Sequence, residues 1–390
     1  MSGPATAPGA LRIAAVEAFA LSYPLPEAAQ VTLGVGRTIK RDAVVVRVRT
    51  EDGIEGFGEA HHGRAHIAVA SIVNDNLAAM LKGADACDTM GLWRRMARAQ
   101  MLTQGSGAAA ALAMSGIDCA LWDIRAKAAG WPLCRLLGGA PRPVAAYAGG
   151  VALGWETPDR LVEEARGLVA RGYRALKLRI GDRIDRDIAR AGAVREAVGT
   201  DVTLMADANS LYAPGDAARA ADALADLGFA WLEEPFMPLE RRRMADLAAR
   251  ARLPLAAGEN LFARQEFAAL IADGATDVIQ PDLSKVGGVT EATRIAALAL
   301  AAGLPVHPHA SMTGLNAAAS LHFLCAIENG GFLEADASRI NPLRDELVRG
   351  APVLSREGTM TPGEAPGLGV EVDMDFVRAH PPIPGSAYRT

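Results

Sequence analysis

Polar side chains recur at a nearly constant spacing through the second half of the 390-residue sequence. From Asp207 onward the successive intervals are 26, 26, 23, 27 and 25 residues, and each polar residue follows a short apolar run. This spacing is about that of one strand–helix unit, so each polar residue falls at the end of a predicted strand. The set comprises Lys177, Arg179, Asp207, Glu233, Glu259, Asp282, His309 and Glu334.

Three successive members of this set are acidic: Asp207, Glu233 and Glu259. The carboxyl ends of barrel strands converge on one mouth, where three carboxylates would repel one another unless a cation neutralised them. An all-oxygen site that leaves room for water and substrate suits Mg²⁺. Glu234 follows Glu233 directly, and strand alternation predicts that only one of the two is a ligand. Solvation at a strand end would explain one such residue, but not three in phase.

Two further pairs suggest acid–base chemistry on an anion. Asp282 and His309 lie on adjacent predicted strands, where a carboxylate that orients an imidazole makes it a general base. His307, two residues earlier, is expected to be structural or to lie lower in the barrel. Lys177 and Arg179 share one face of a strand and imply an anionic ligand or intermediate, unless the strand end is simply exposed.

The complete set fits proton abstraction next to a carboxylate. A divalent metal and a lysine can hold the carboxylate while a neighbouring base removes the proton on the adjacent carbon. The resulting enediolate carries two negative oxygens, which cations stabilise more strongly than they stabilise the ground state. Glu334, if protonated, could donate a hydrogen bond to the developing oxyanion.

The elements that must position these residues form an alternating strand–helix series. Eight strands with intervening helices at about 25–30 residues per unit favour a parallel barrel. A doubly wound open sheet is the alternative, weakened by the absence of a GxGxxG fingerprint after any strand. The predicted strands are Val144–Ala148, Ala175–Arg179, Val202–Asp207, Ala230–Glu233, Pro254–Glu259, Asp277–Asp282, Pro305–His309 and Phe332–Glu334, with helices such as Thr157–Arg171, Ile184–Val198 and Thr290–Ala302.

The first 135 residues predict a separate α+β domain, in which strands precede helices. The barrel is expected over 136–344, and the Pro/Gly-rich segment 345–390 is expected to pack back onto the first domain. Two domains also agree with the chain length. The predicted meander strands are Leu11–Ser22, Asp42–Arg49 and Ile54–Ala60, and the predicted helices are His66–Leu81, Gly91–Gln104 and Ala108–Ala129, the last ending at Gly130.

Composition excludes several function classes. The 40 basic and 45 acidic side chains give a net charge of −5, and no Lys/Arg-rich run predicts nucleic-acid binding. The sequence contains neither a secretory signal nor an apolar run of transmembrane length. The cysteines show no CxxC spacing, so we expect reduced core thiols in a cytoplasmic protein rather than two disulfides. They are Cys87, Cys119, Cys134 and Cys325.

The ordered motifs of this sequence resemble the enolase superfamily, and within it the mandelate racemase subgroup. The resemblance covers nearly the whole chain, and although each motif alone is weak, their order and spacing together are specific. The motifs are SGIDCALWDIRAKAAGWPLCRLLGG (Ser115–Gly139), LKLR (Leu176–Arg179), DAN (Asp207–Asn209), WLEEP (Trp231–Pro235), GEN (Gly258–Asn260), QPDLSKVGG (Gln280–Gly288), VHPH (Val306–His309) and FLEAD (Phe332–Asp336).

The resemblance implies an α/β fold, a (β/α)7β modified TIM barrel with an N-terminal α+β capping domain completed by the C-terminal segment. It also implies a homo-oligomer that acts on a small-molecule carboxylate. The roles that it implies are Mg²⁺ ligation by Asp207, Glu233 and Glu259, a His–Asp dyad of His309 and Asp282, enolate stabilisation by Glu334, and substrate carboxylate binding by Lys177.

The sequence departs from the family pattern at Arg179. The second residue of the K-x-K motif is normally the lysine that acts as base on the opposite face of the substrate. A guanidinium does not readily cycle as a base, so racemisation through two opposed bases is in doubt. Dehydration needs one face only, with Arg179 as an anion clamp. We therefore expect a Mg²⁺-dependent acid-sugar dehydratase that converts an aldonate, aldarate or tartrate to a 2-keto-3-deoxy acid.

Other functions stay open from sequence alone. An epimerase, racemase or lactone cycloisomerase would share the metal site and dyad. A catalytically retired scaffold would be expected to have lost part of the metal triad, which is complete here. A nucleotide-dependent oxidoreductase would need a phosphate-binding glycine loop that the sequence lacks.

Specificity in the family comes from two capping-domain loops, here near Val31–Arg37 and Glu59–Arg64. We expect one or more of His61, His62 and Arg64 to contact distal hydroxyls or a second carboxylate, with simple solvent exposure as the alternative. Asn209 is expected to contact the substrate as well.

Overall fold

The computed structural model describes residues 9–101 and 107–389. The first unit is built on an antiparallel sheet in the order β1–β4–β5, which confirms the predicted meander. In the chain, the segment between β1 and β4 forms a hairpin of β2 and β3 that was not predicted from the sequence. The strands are β1 (Ile13–Pro24), β2 (Thr32–Leu33), β3 (Gly36–Thr38), β4 (Lys40–Thr50) and β5 (Glu55–Ala60).

The helices of this domain cover one face of the sheet. The segment predicted as one helix over 66–81 is helical throughout, but its middle, Ile72–Leu77, is π-helical. The predicted bounds of the longest helix, Ala108–Ala129, are confirmed, and Gly130 ends it in the left-handed region at φ 69°. The sequence predicts that the preceding helix continues to Gln104, but it ends at Gln100. Met101 is not helical, and residues 102–104 lie outside the described ranges. The helices are α1 (His66–Ser71), α2 (Ala78–Leu81), α3 (Thr89–Gln100), α4 (Ala108–Ala129) and α5 (Leu133–Leu136), and a 3₁₀ turn spans Glu27–Ala29.

The second unit is a parallel barrel in the strand order β11–β10–β9–β8–β7–β6–β12. Its seventh strand is reduced to Val306, which bridges Ile279 on one side and Gly330 on the other. Several strands are much shorter than predicted. The strands are β6 (Val144–Gly149), β7 (Ala175–Arg179), β8 (Thr203–Asp207), β9 (Leu232–Glu233), β10 (Leu255–Ala257), β11 (Val278–Ile279) and β12 (Leu333–Asp336).

Helices connect the barrel strands on the outside, as the alternating pattern predicted. Helix α7 has the predicted bounds. The bounds of α6 and α11 differ from the predicted Thr157–Arg171 and Thr290–Ala302 by one or two residues at each end. The helices are α6 (Pro158–Ala170), α7 (Ile184–Val198), α8 (Pro214–Asp226), α9 (Arg241–Ala248), α10 (Arg264–Ala272), α11 (Gly288–Ala301) and α12 (Gly314–Leu324).

Aromatic side chains fill the lower half of the barrel. Tyr147 packs edge-on against Trp231 and Phe332, with ring centroids 5.9 and 6.3 Å apart. His307 joins this cluster, 5.1 Å from Trp231, and its Nδ1 accepts a hydrogen bond from the Phe332 N–H. Burial lowers the pKa of His307 to about 4. His307 is therefore a neutral structural residue low in the barrel, as expected, and the polar mouth lies above this packed floor.

The C-terminal segment divides its contacts between the two units. The expectation that 345–390 packs back onto the first domain describes only part of it. Thr359–Met360 pairs antiparallel with barrel strand β6, because the edge of that strand is open below its pairing with β7, and Tyr388–Arg389 pairs with β3. The elements are α13 (Pro342–Asp345), β13 (Val348–Arg349), β14 (Thr359–Met360), β15 (Glu371–Val372), α14 (Met374–Ala379) and β16 (Tyr388–Arg389).

The four cysteines are unpaired; Cys119, Cys134 and Cys325 are buried and Cys87 is half-buried. In the described ranges no helix combines the length and the apolarity that a membrane crossing requires.

Glycines set the distance between α4 and β5. A Cβ on Gly58 would lie 2.3 Å from the Gly116 carbonyl oxygen, and one on Gly56 would lie 2.1 Å from that of Ala120. Both obstacles are helix backbone, which cannot rotate away. We predict that Gly58→Ala destabilises the protein by roughly 1–3 kcal/mol through overpacking, measured by urea unfolding.

The matched control is Gly167→Ala in α6, where an added Cβ meets no atom within 4 Å. This change should leave stability unchanged or raise it by up to about 1 kcal/mol, because alanine restricts the unfolded chain. Equal effects of the two substitutions would contradict the steric explanation.

His322 in α12 is held as a neutral imidazole. Its Nδ1 accepts from the Cys134 N–H at 3.2 Å, and its Nε2 lies 3.2 Å from the Leu368 carbonyl oxygen. Burial lowers the pKa of His322 to about 4, whereas the unfolded chain has the ordinary value near 6.5. The unfolded state therefore binds more protons between these values, and stability falls as pH drops from about 6.5 towards 4.

We predict that the wild type loses roughly 2 kcal/mol more stability than His322→Gln between pH 7 and pH 5. Urea unfolding at the two pH values measures the difference. Parallel losses in the two proteins would show that His322 does not titrate on unfolding.

Candidate active site

Three neighbouring strands place charged side chains in one row at the barrel mouth. Arg179 pairs in register with Asp207, and Asp207 pairs with Glu233. Lys177 lies two residues below Arg179 on the same strand, and all four residues are buried. The periodic spacing in the sequence therefore reflects a real convergence of these side chains.

Lys177 is surrounded by carboxylates. Its Nζ lies 3.0 Å from both oxygens of Glu233, 3.1 Å from Oε1 of Glu334 and 3.6 Å from Oδ2 of Asp207. Burial opposes the charged amine, but Glu233 and Glu334 outweigh burial and raise the pKa of Lys177. The residue is fully buried and is not among the residues that line the cavity described below.

Arg179 is equally well engaged. Its Nη1 donates to Oδ2 of Asp207, its Nε donates to the Gly150 carbonyl oxygen at 3.1 Å, and its Nη2 donates to that same oxygen. Burial opposes the charge, but Asp207 and Glu334 outweigh burial and raise the pKa of the Arg179 guanidinium. Arg179 is thus held as a permanent cation, which agrees with its expected inability to act as a base.

Asp282 and His309 form the predicted dyad, just beyond the ends of their strands. Oδ2 of Asp282 lies 2.6 Å from Nδ1 of His309, and Oδ1 accepts from Ser284 and from Asn316 Nδ2 at 3.0 Å. Although burial raises it, these contacts lower the pKa of Asp282. The carboxylate is therefore ionised and fixes the imidazole orientation.

The other ring nitrogen of His309 points at the carboxylates. Its Nε2 lies 2.9 Å from Oε2 of Glu259 and 3.9 Å from Oε2 of Glu334. Burial lowers the pKa of His309, but Glu259, Glu334 and the hydrogen bond to Asp282 outweigh it and raise the value to about 10. Nδ1 is engaged by Asp282, so Nε2 is the ring nitrogen that faces Glu259 and Glu334.

Glu334 lies among three cationic side chains. Burial raises its pKa, but Lys177, His309 and Arg179 outweigh burial and lower the pKa of Glu334 to about 2. Its Oε1 also accepts from the Gly150 N–H at 3.0 Å. Three cations around one carboxyl group favour its ionised form, and a hydrogen bond from protonated Glu334 to the developing oxyanion stays a prediction.

The predicted metal ligands present a suitable donor set. Asp207, Glu233 and Glu259 are buried, supply only oxygen, and lie at or just beyond the ends of three adjacent strands. Oε2 of Glu259 is buried and makes no hydrogen bond of good geometry, despite the nearby imidazole of His309. Oxygen donors of this kind fit a hard divalent cation.

The side chains do not form a closed metal cage in this structure. Within residues 9–101 and 107–389 no three His, Cys, Asp or Glu side chains are grouped so that they could hold a metal ion. The reason is visible in the ion pairs, since Arg179 engages Asp207, Lys177 engages Glu233, and His309 lies against Glu259.

A cavity of about 320 Å³ opens above this charged layer, between the two domains. All three capping-loop residues named as candidates, His61, His62 and Arg64, line it, and so does Asn209. The walls also include Leu33 and Val35 from the first capping loop, Tyr388 from the C-terminal strand, and Arg179, Glu234, Glu259, Asn260, Lys285 and His309 from the barrel.

The predicted separation of Glu233 and Glu234 onto opposite faces is wrong. Both are buried, and Glu234 lines the cavity. The residue has φ 36°, a left-handed conformation that breaks strand alternation. Burial and the neighbouring Glu259 and Asp207 raise the pKa of Glu234 to about 8, and Asn260 donates to its Oε2 at 2.7 Å.

Left-handed backbone conformations are concentrated at the mouth of the barrel. Outside glycine, the positive φ angles in the described residues fall at Glu234, Leu153, Asn209, Ser210 and Arg64. All five lie in loops after barrel strands or in a capping loop, which is where strained conformations often accompany function.

Sequence reasoning missed several cavity residues. Lys285 and Asn260 lie within motifs recognised in the sequence, but just beyond the strand ends, where the periodic spacing carries no information. Tyr388 comes from the distant C-terminal strand, and no local signal marks it. His61 stacks on His62 with ring centroids 4.2 Å apart, and burial lowers the pKa of His62 to about 3.

Family comparisons agree with this architecture. Residues 15–138 match the mandelate racemase / muconate lactonizing enzyme N-terminal domain, and residues 160–376 match the enolase C-terminal domain-like family. Among solved structures, an enolase superfamily member from Polaromonas sp. JS666 has 48% identity and a TM-score of 0.94, over 97% of this chain and 100% of that one. A racemase from Streptomyces coelicolor with bound magnesium has 29% identity and a TM-score of 0.85, over 94% and 99%.

Characterised relatives catalyse different reactions. The chain is 34% identical to D-galactarolactone cycloisomerase of Agrobacterium fabrum, over 86% of this chain and 90% of the relative. It is 32% identical to arabinonate dehydratase of Saccharolobus solfataricus, over 85% and 88%. It is 30% identical to hydrophobic dipeptide epimerase of Enterococcus faecalis, over 87% and 94%.

The capped barrel and its acid–base site thus define a class, and the sequence matches assign the chain to it. The protein belongs to the enolase superfamily, in the family of mandelate racemase and muconate lactonizing enzyme. Its relatives include dehydratases, cycloisomerases and an epimerase at similar identity.

The dyad yields a direct prediction. Asp282→Asn replaces the acceptor that fixes the His309 ring, so the exchange rate of the substrate α-proton should fall by roughly 10²- to 10⁴-fold. The measurement is solvent deuterium uptake by NMR with any sugar acid that the wild type turns over.

Asp226→Asn serves as the matched control, since Asp226 only forms an exposed ion pair with Arg252. It should exchange at the wild-type rate. An exchange rate within twofold of wild type for Asp282→Asn, with the fold intact by circular dichroism, would exclude the dyad as the proton-transfer unit.

Proposed function

We propose that the protein is a Mg²⁺-dependent acid-sugar dehydratase. The observation that carries this proposal is the state of Arg179, which is held by Asp207 and Gly150 as a permanent cation. The cavity therefore offers His309 as the proton acceptor on one face and no lysine at the K-x-K position on the other. A one-face reaction is what dehydration requires.

His309 would carry out both proton transfers. Its Nε2 accepts the proton from the carbon next to the carboxylate, and the C–H electron pair passes into the enediolate. The same imidazolium then gives the proton to the departing β-hydroxyl, and the C–O bond breaks with release of water. The enol product becomes a 2-keto-3-deoxy acid.

Asp207, Glu233 and Glu259 would hold Mg²⁺, as their donor chemistry allows. When bound, such an ion supplies positive charge to the carboxylate oxygens of the substrate. With Glu259 engaged in this way, less negative charge would face His309 and its pKa would fall, so more of the imidazole would be in the neutral form that can accept a proton. Arg179 would remain a cation beside the developing negative charge.

Lactone cycloisomerisation is the second candidate. It also needs no base on the opposite face, and a cycloisomerase is among the relatives of similar identity. The two reactions differ in the C–O bond that changes, because cycloisomerisation opens or closes a lactone ring and releases no water.

We predict that a panel of aldonates, aldarates and tartrates with Mg²⁺ will yield a 2-keto acid from one or a few members. Detection as a semicarbazone measures the product. Activity should disappear with EDTA, return with added Mg²⁺, and be lost in His309→Asn, because each treatment removes one part of the proton-transfer site.

His380→Asn is the matched control, because His380 lies in the tail and does not line the cavity. It should keep wild-type activity. Deuterium uptake at the α-carbon without formation of a 2-keto acid would contradict dehydration and indicate epimerisation. Ring closure without loss of water would contradict dehydration and indicate cycloisomerisation.

A further inference from the structure

The first domain contributes a distinct set of side chains to the cavity. Its polar side chains there are His61, His62 and Arg64, and we call these three residues the donor wall. The barrel side differs, because it supplies the carboxylates Glu234 and Glu259. The other described residues that the first domain places around the cavity have no polar side chain; they are Leu33, Val35, Gly63, Ala108 and Leu112.

The hydrogen bonds of the two imidazoles fix the positions of their protons. Nδ1 of His62 accepts from the Arg64 N–H at 2.9 Å, and Nδ1 of His61 accepts from the Gly63 N–H at 3.1 Å. Burial lowers the pKa of both rings, so each is neutral and its single proton lies on Nε2. Among the described residues neither Nε2 has a hydrogen-bond partner. Both imidazoles therefore offer an N–H donor at the cavity wall.

Arg64 adds a positive charge to the donor wall. Its guanidinium carbon lies over the Tyr388 ring, 5.3 Å from the ring centroid. In the part of the chain that the structure describes, no carboxylate forms an ion pair with Arg64. The two cavity carboxylates, Glu234 and Glu259, instead contact polar groups of the barrel. The guanidinium donors of Arg64 are therefore available to a ligand.

Tyr388 is carried to the cavity by the last strand of the chain. β16 pairs antiparallel with β3, which places Tyr388 opposite Thr38, and the Ile39 N–H donates to the Ala387 carbonyl oxygen at 2.9 Å. The face of an aromatic ring attracts a guanidinium. Tyr388 therefore restricts the directions in which Arg64 can point, from a position fixed by the backbone of the first domain.

A donor wall of this composition fits a carboxylate better than a hydroxyl. A sugar hydroxyl both donates and accepts hydrogen bonds, and the side chains of this wall offer it no acceptor. An ionised carboxylate only accepts, and a guanidinium can bind its two oxygens together. The positive charge of Arg64 favours the anionic group further.

We propose that the substrate is a dicarboxylate, and that the donor wall binds its second carboxylate while Tyr388 holds Arg64 in place. The position of the first carboxylate, on the barrel side near His309, rests on the proposed function. Among the sugar acids considered above, aldarates and tartrates carry two carboxylates, and aldonates carry one. Tyr388 is a positioning residue here, because it acts on the ligand through Arg64.

The test compares two probes that differ only at the far end. They are 2-oxohexanedioate and 2-oxohexanoate, six-carbon 2-keto acids in which a terminal carboxylate replaces a methyl group. Neither has a β-hydroxyl to lose. In isothermal titrations of the full-length protein with saturating Mg²⁺, wild type should bind the dicarboxylate roughly 10- to 100-fold more tightly, as expected for charged hydrogen bonds. Arg64→Met should reduce this preference to about threefold or less.

Variants of Tyr388 test its positioning role. Tyr388→Leu removes the ring and should lower the preference for the dicarboxylate roughly 2- to 5-fold, whereas Tyr388→Phe keeps the ring and should keep the preference. In an Arg64→Met background, Tyr388→Leu should have no further effect, because its action runs through Arg64. Equal losses from Tyr388→Leu with and without Arg64 would contradict this role.

Arg160→Met is the matched control for the loss of an arginine. Arg160 is 73% exposed, pairs with Glu156 in α6 and does not line the cavity. This variant should keep the wild-type preference. An equal fall in Arg160→Met and Arg64→Met would show that the preference reflects the overall charge of the protein, and would overturn the proposal.

Other outcomes separate this proposal from the dehydratase itself. Equal affinity of wild type for the two probes, or binding of neither, would overturn the dicarboxylate site. Turnover of aldonates but not of aldarates or tartrates would also overturn it and leave the dehydratase standing. A preference for the dicarboxylate that depends on Arg64, with no 2-keto acid formed from any member of the panel, would support the site and refute the dehydratase.

Discussion

Neutralisation of buried carboxylates by buried cations is the constraint on which the site depends. Lys177, Arg179 and His309 each lie against acidic side chains in a layer that solvent barely reaches. Unpaired charges at this depth would be strongly unfavourable. Each ion pair therefore orients its carboxylate, and a carboxylate that turned away from its cation would need another positive charge to compensate it.

The capping domain holds the loop that carries Asp282 and Lys285. Ser115 Oγ accepts from the Gly287 N–H at 2.7 Å, and Asp118 accepts from the Thr290 N–H at 2.8 Å. Gly288 must be glycine here, because a Cβ would lie 2.4 Å from the Asp118 carboxylate and its φ is 81°. Glycine is also the residue that tolerates this φ. The motif in α4 thus serves to position active-site groups that belong to the other domain, and the cavity forms only when both domains are folded together.

Much of this organisation follows from sequence periodicity, and the exceptions have physical causes. The spacing of polar residues located Asp207, Glu233 and the dyad, since one strand–helix unit has nearly fixed length. The same reasoning failed for Glu234, whose left-handed φ was not encoded in the alternation pattern. It also overstated the strands, because the seventh is a single bridge at Val306. The pairing of β16 with β3 joins segments about 350 residues apart, a non-local contact for which a single sequence holds no local signal.

Arg179 links the architecture to the choice of reaction. A lysine at this position would offer a compact ammonium that could lose its proton when the surrounding charge changed. The guanidinium instead spreads its donors over Asp207 and the Gly150 carbonyl, so it ties the second barrel strand to the loop after the first. Exchange of its proton would break these contacts together. Arg179 is therefore a structural cation and not a base, and in the proposed function proton transfer is assigned to the imidazole of His309 on the other side of the mouth.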